Sequence, residues 1–396
     1  MNVLTAIACH SALFILPLLF LAQAAPAAIK ARLIVGNDPT TCPRAQFTRI
    51  QDAVNAAAPG DEIFICNGVY KEQVTINKAV DLAGDTGAFL VPNTMQQNAT
   101  SFAGTSIAAA ILVMDATNVS ITGLTVDGIN NGIESCAPRL VGVFFRNASG
   151  ELKQTAIRNF KLSASTTNGC QSGTGVFVES GSGGVSSVEI VNCSIHDFQK
   201  NGITANETGT TVQIHRNVIT GLGPVTGAAQ NGIQIGFNAG GSIRSNIVTN
   251  NVWSPCTSTS SCDAVGTNIL VVQSDNVEVT RNSVGVAQIP IFVVGNHGSV
   301  TNNSAFDALV FEDIRIEGDA NTVGTNRVYN GGEADIFLHG DNNDIEHNIV
   351  TEAPIGILKA TGSTGNVIAH NEFFNVAVKM QDPVLGDLAG RVQPER

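Results

Sequence analysis

The sequence predicts an all-β solenoid, with three short strands to a coil and coils stacked about a shared core. The first sign is a recurring motif of alternating apolar residues, a polar residue, an Asn and a further apolar pair. It reads Val-Glu-Ile-Val-Asn192, Gln-Ile-His-Arg-Asn217, Ser-Ile-Arg-Ser-Asn246 and Val-Glu-Val-Thr-Arg-Asn282. It continues as Ser-Val-Thr-Asn-Asn303, Thr-Val-Gly-Thr-Asn326, Asp-Ile-Glu-His-Asn348 and Val-Ile-Ala-His-Asn371, with successive spacings of 25, 29, 36, 21, 23, 22 and 23. A fixed period means one structural unit per repeat, and a unit this small buries its apolar face only by stacking. The second sign is the alternation itself, which has the period of strands and not of helices.

The third sign is the apolar columns found on stepping 22 residues: Leu270, Phe292, Ile314, Ile336, and Val272, Val294, Ile316, Leu338. Coils about 4.8 Å apart put each column on one line into the core. The Asn column then falls at a tight turn, where Asn accepts left-handed backbone angles and stacked amides bond along the column. In these features the chain resembles the right-handed parallel β-helix proteins of the pectin-lyase-like class. The resemblance spans most of the mature chain and implies the fold, single-stranded with roughly ten coils. It implies little about activity, because that fold hosts many chemistries.

Residues 1–24 read as a signal peptide outside the fold, with an apolar run Ser11–Leu21 before Ala22-Gln23-Ala24. That run is too short to span a bilayer, and no other segment is long enough. A secreted or periplasmic protein is expected, with the β-helix over 25–375 and a polar tail over 376–396. Seven cysteines follow the signal, and in an exported protein they are expected to pair as Cys42–Cys66, Cys136–Cys170 and Cys256–Cys262. Cys193, at a core-like position after its Asn, is left as a buried thiol.

Residues 47–58 read as the one clear helix, with Phe47, Ile50, Val54 and Ala57 on one stripe and Pro59-Gly60 as the stop. An amphipathic helix here caps the open end of the solenoid. The run Phe47-Thr-Arg-Ile-Gln-Asp-Ala-Val-Asn-Ala-Ala, then Gly60-Asp61 and Gly68-Val69-Tyr70-Lys71-Glu72, is similar to the opening of pectin methylesterases. Their Gln-Asp-Thr and Asp-Phe-Ile-Phe-Gly motifs are absent, so the likeness implies the cap and not the esterase activity.

Net charge of −12 with no basic stripe argues against nucleic acid. It also makes an anionic polymer a poor partner unless a local Arg/Lys cluster or a cation intervenes. A monomer acting on or binding a polysaccharide or other extracellular glycan is expected, on the outer face of the strand that follows the long variable loops. Alternation there sends out Thr204, Gln234, Ile269, Val271, Ile291 and Val293, and then Asp313, Arg315 and Glu317 on one coil and Asp335, Phe337 and His339 on the next. Asp313, Arg315, Glu317, Asp335 and His339 are the candidate catalytic set. Two carboxylates on adjacent coils would push one pKa up, and Arg315 or His339 could handle a proton or a substrate carboxylate. Those parts suit a uronate lyase, a hydrolase or an epimerase. The same residues also suit a surface ion network on a non-catalytic glycan-binding β-helix.

Phe337, Lys359 and Trp253 are candidate substrate contacts. Trp253, in the loop Asn250–Gly266, reads either as a sugar-stacking platform or as packed beneath its own loop. The column Asp275, His297, Asp319, Asp341 suits turn hydrogen bonding or Ca²⁺. Ca²⁺ at that column is the one cofactor the sequence suggests. The polygalacturonase motifs are missing, His339-Gly340-Asp341 being only a partial echo, and so is the pectate lyase Arg-x-Pro-x-x-Arg.

Overall fold

One coil shows how the chain builds itself: strands Ser299–Thr301, Ser304–Ala308 and Glu312–Glu317, after which Thr322–Gly324 begins the next. In this computed structural model, which describes residues 30–162, 169–384 and 394–396, equivalent strands pair in parallel from coil to coil. They form three sheets of 13, 12 and 13 strands, called here the first, second and third. The chain is a right-handed parallel β-helix. It holds more coils than the roughly ten expected, the surplus lying in the irregular stretch before Asn192. The signal-peptide expectation for residues 1–24 lies outside the described residues. Among those described, no helix is long and apolar enough to cross a membrane. The expected tail begins with a strand, Val378–Val384, which adds to the third sheet beside Ile355–Ala360.

The repeated Asn works through its side chain. Between the first and second sheets, Asn217, Asn246, Asn282, Asn303, Asn326, Asn348 and Asn371 stack in one column. Each amide oxygen accepts the backbone N–H and the amide of the residue one coil earlier, as Asn326 does from Asn303 at 2.9 and 3.1 Å. Each amide nitrogen also donates to a first-sheet carbonyl, as Asn326 does to Val300 at 2.8 Å. The left-handed backbone belongs to the residue before: Arg216, Ser245, Arg281, Asn302, Thr325, His347 and His370 all have φ between 56° and 59°. Asn192 is such a residue (φ 53°), so Cys193 takes the ladder position: its N–H donates to Asn217 Oδ1 at 2.9 Å and its Sγ meets the first-sheet carbonyl of Leu152 at 3.4 Å. A second ladder, Asn321–Asn343–Asn366, staples the turn between the third and first sheets.

Core registration corrects the expected columns. Ile269 pairs with Ile291, Ile291 with Ile314 and Ile314 with Ile336, and these point inward with Val271, Val293, Ile316 and Leu338. Leu270, Phe292, Arg315 and Phe337 form the outer column. The step from 291 to 314 is 23 residues, and a one-residue slip moves a strand's whole set to the other face. The slip was invisible because the outer column is also apolar.

The cap helix is Ile50–Ala56, shorter than the expected 47–58, and it buries Ile50, Ala53 and Val54 on the first coil. Its first N–H groups lack a side-chain cap at Arg49 and instead meet the Glu72 carboxylate, Ile50 N at 2.7 Å and Gln51 N at 3.1 Å. Lys78 Nζ donates to the carbonyls of Asn55 and Ala57 at the other end. Tyr70 Oη donates to Cys66 O at 2.8 Å. Of the cap-like motif, Glu72 thus holds the helix N-terminus, while Tyr70 ties to the strand ends at Cys66 and Val35. The three expected disulfides form, with Cα separations of 6.2, 5.5 and 4.3 Å in chain order, and Cys193 is a buried thiol whose pKa burial pushes up to about 11.

Asn326→Ala should lower stability by more than about 2 kcal/mol, because it strips partners from two buried backbone groups at about 1–3 kcal/mol each. Exposed Thr325→Ala serves as the control, and urea unfolding of both variants checks the difference. Thiol titration of the described chain should find none in the native protein and one, Cys193, after denaturation without reductant; chain retaining residues 1–24 adds Cys9.

Candidate functional site

The outer face of the third sheet is mostly covered. Phe144 and Phe177 stack at 5.0 Å at one end, and Leu270, Phe292, Phe337 and Leu358 continue the column at the other, all with 2% exposure or less. On the strands at 268–273 and 290–295, whose outer face is expected to carry glycan, Leu270, Val272 and Phe292 form a buried apolar strip. Trp253 packs into it with Leu270, Phe292 and the Cys256–Cys262 pair, so the loop folds over its own tryptophan.

Within that strip lies the expected Arg315. Its Nε donates to Glu317 at 2.6 Å and its Nη1 to Glu312 at 2.9 Å, and its guanidinium sits 3.7 Å from the Phe337 ring centroid. Arg315 and Glu312 are 2% and 0% exposed. Burial drives the Glu312 carboxyl above its usual range, against the pull of Arg315. Sequence reasoning passed over Glu312, since simple alternation sends it inward. A buried triad of this kind is costly to break, and its cation is already engaged by two carboxylates.

Asp313 and Asp335 part company with Arg315. An irregularity at the start of each third-sheet strand turns one residue into the corner between the second and third sheets. At the equivalent Gly232 a Cβ would lie 2.3 Å from Val248 Cγ1, a second-sheet core atom. Asp313 Oδ1 accepts from Ala308 N (3.0 Å), while Asp335 accepts from Gly331 N and Thr351 N (both 3.0 Å), all near the ends of second-sheet strands. The two carboxyl groups come within hydrogen-bonding reach of each other, and Asp313 Oδ2 has no other partner. A proton on either carboxyl would serve both. Burial, and then the neighbouring carboxylate, raise Asp313 well above the usual range, and burial raises Asp335 to about 6. On the surface beside them runs a groove of about 830 Å³ lined by Asp307, Ala308, Asn330, Gly331 and Glu352.

The remaining candidates are scattered. His339 stands level with Glu317 at the end of its strand, half-buried. Lys359 pairs with Leu338 and not with Phe337, so it lies on the inward side of its coil, where it meets Asp382 at 3.3 Å. The turn column is Asp275, Asn296, Asp319, Asp341, since the 22-residue step lands one residue late at His297. Each side chain accepts a backbone N–H from the next coil: Asn296 N to Asp275 at 2.8 Å, Asp319 N to Asn296 at 2.8 Å and Asp341 N to Asp319 at 2.8 Å.

Sequence reasoning singled out Thr204 and Gln234 only as outward positions. They belong to an uncharged polar stretch of the outer face, with Thr174, Asn201, Asn206 and Asn231, each at most 1% exposed. Residues 394–396 lie against it. The signal available in the sequence was the change from Phe144 and Phe177 to Thr204 and Gln234 along one column, but nothing in the local pattern ties residue 395 to it.

No family model matches the chain, and no curated protein does. Solved structures do. The GH136 lacto-N-biosidase from Eubacterium ramulus has a TM-score of 0.60 at 14% identity, covering 87% of this chain and 68% of that one. PfbA, a surface adhesin of Streptococcus pneumoniae, has a TM-score of 0.57 at 12% identity, covering 84% and 87%. DFA-IIIase from Arthrobacter chlorophenolicus A6 has 0.50 at 16% identity, covering 89% and 86%. Identities this low carry the likeness of fold and no activity.

The Asp313–Asp335 pair binds a proton more tightly folded than unfolded. Its contribution to stability is therefore fullest below the unfolded carboxyl range, about pH 4, and falls as pH rises through the raised folded values. Asp313→Asn keeps an acceptor for Ala308 N and offers an amide to Asp335. It should flatten that fall between pH 4 and 8 and raise the melting temperature at pH 8 relative to wild type, read by thermal denaturation across the range.

Proposed function

We propose that this protein is an extracellular glycan-binding β-helix whose ligand lies along the outer face of the third sheet, over the coils bearing Thr174, Asn201, Thr204, Asn206 and Gln234. One observation carries the reading. On a face elsewhere lined by apolar side chains and the closed Arg315–Glu312–Glu317 triad, these coils present hydroxyls and amides side by side, and they already hold a peptide segment by polar contacts. Sugars need that combination: donors and acceptors for ring hydroxyls, flanked by apolar walls, here Phe177 on one side and Leu270 on the other. Three disulfides support an oxidising compartment. The names of two structures of similar fold, a lacto-N-biosidase and a surface adhesin, support a sugar- or surface-directed role.

Binding is favoured over cleavage by the expected set. Arg315 is enclosed by Glu312 and Glu317, and the aspartates are within hydrogen-bonding reach of one another, closer than the roughly 5–9.5 Å between carboxyls that glycosidases use. A second reading keeps chemistry at the corner groove. Asp313 and Asp335 share a raised pKa beside it, and the β-branched Val286 on its wall holds φ at 57°. Turnover of any glycan that Asp335→Asn abolishes would establish this second reading.

On a panel of acidic and neutral oligosaccharides measured by calorimetry, Gln234→Ala should weaken binding about tenfold, the worth of one or two hydrogen bonds. Binding undiminished in Gln234→Ala at unchanged melting temperature would remove this face as the site.

A further inference from the structure

We propose that the polar stretch of the third sheet is a subsite for a sugar carboxylate, and that Glu395 of the same chain occupies it in place of an acidic glycan. The inference rests on the glycan-binding reading above and adds the ligand's chemistry and its built-in competitor.

Glu395 is fully buried, while Arg396 beside it is exposed. Both its carboxylate oxygens accept from Thr174 Oγ1 (2.8 and 2.7 Å), and Oε2 also accepts from Thr204 Oγ1 at 2.9 Å. Its backbone is read as closely. Glu395 N donates to Gln234 Oε1 at 2.8 Å, and its carbonyl accepts from Gln234 Nε2 at 2.7 Å and Asn206 Nδ2 at 2.5 Å. Every one of these partners lies 161 or more residues away in sequence. They are held in place by their own coils: Thr174 pairs with Asn201, and Thr204 with Gln234, in the regular register of the sheet. The receiving side is therefore part of the scaffold, and residue 395 is the guest.

Two cations and two carboxylates surround it, in a chain whose net charge is −12. Lys200 is fully buried, with Nζ donating to Ala229 O at 2.6 Å. Burial lowers its pKa to about 7, and the Glu395 carboxylate is the influence holding the proton on. Arg139 donates to the carbonyl of Arg396 at 2.5 Å. The acidic neighbours are Glu179, whose carboxyl burial raises to about 7, and Glu207, which accepts from Arg396 Nε at 3.1 Å. A carboxylate flanked by groups that both donate and accept is what Glu395 with its peptide offers. A uronate ring offers the same, with its carboxylate meeting the two threonines and its hydroxyls meeting Gln234 and Asn206.

The test compares wild type, Glu395→Ala, Glu395→Gln and the double variant Glu395→Ala/Thr204→Val, all full chain. The probes are pentagalacturonate and a neutral pentasaccharide, maltopentaose, with melting temperatures taken alongside. Expected is at least a tenfold gain in affinity for pentagalacturonate in Glu395→Ala, a smaller gain in Glu395→Gln, no change for maltopentaose, and loss of the gain in the double variant. Equal gains for both sugars, or none for the acidic one, would overturn the carboxylate subsite. A large fall in melting temperature in both single variants with no gain in binding would make residue 395 a structural clamp and likewise overturn it. If wild type binds a glycan through Gln234 but Glu395 has no effect on acid preference, only this inference fails. If no glycan binds any variant, the reading beneath it has failed.

Discussion

Everything in this molecule depends on coils repeating at the strand spacing, about 4.8 Å, so that each residue meets its equivalents above and below. That constraint explains the side chains inside the turns. A backbone leaving one sheet for the next turns its N–H groups away from any sheet ladder, and buried donors must find partners. The asparagine at each turn supplies one. Its oxygen accepts from the coil before it, its nitrogen donates across the turn to the first sheet, and it repeats because its neighbour has the same need. Cys193, whose thiol reaches the first sheet but carries no amide oxygen, marks where the ladder begins.

The same constraint leaves the outer face of the third sheet free to vary. Inside, Ile291, Ile314 and Ile336 are fixed by one another, whereas outside Phe177, Thr204, Gln234, Leu270, Phe292, Arg315 and Phe337 share a column with no common chemistry. Where that column is charged, the charge is answered internally. Arg315 lies on Phe337 between Glu312 and Glu317, and a cation so enclosed has little left to give a ligand. The corner aspartates are also answered by backbone N–H groups and by each other.

Much of the fold could be read from the chain because its signals are periodic. The asparagines, the alternating strands, the cap and the three disulfides all repeat or lie close in sequence. Legibility ended where the period changed by one. Between Ile291 and Ile314 the step is 23 and not 22, and an apolar outer column hid the slip. The candidate site suffered more. Alternation placed Asp313 and Asp335 beside Arg315, but an extra residue at the start of each strand turns them into the corner. Nothing short-range announces that residue except the small glycines at 175, 202 and 232, whose absent Cβ atoms make room for core side chains and the next coil's backbone.

The charged cluster stands out against Val, Ile and Asn, yet conspicuous residues on a buried face are the ones most in need of internal partners. Desolvation forces that outcome: an unpaired charge there would be far more costly than an unpaired amide. A face that is to receive a ligand is therefore better built from neutral groups, which tolerate being exchanged between water, a peptide and a sugar. Thr174, Thr204, Asn206 and Gln234 are such groups. They hold residue 395 through six hydrogen bonds without a direct charge partner on the sheet itself. The charge that complements the guest is on Lys200, out of contact with solvent and supplied by the turn that precedes the strand. Separating the groups that shape the site from the cation that biases it lets the repeat keep its register while one stretch of its surface differs from the rest.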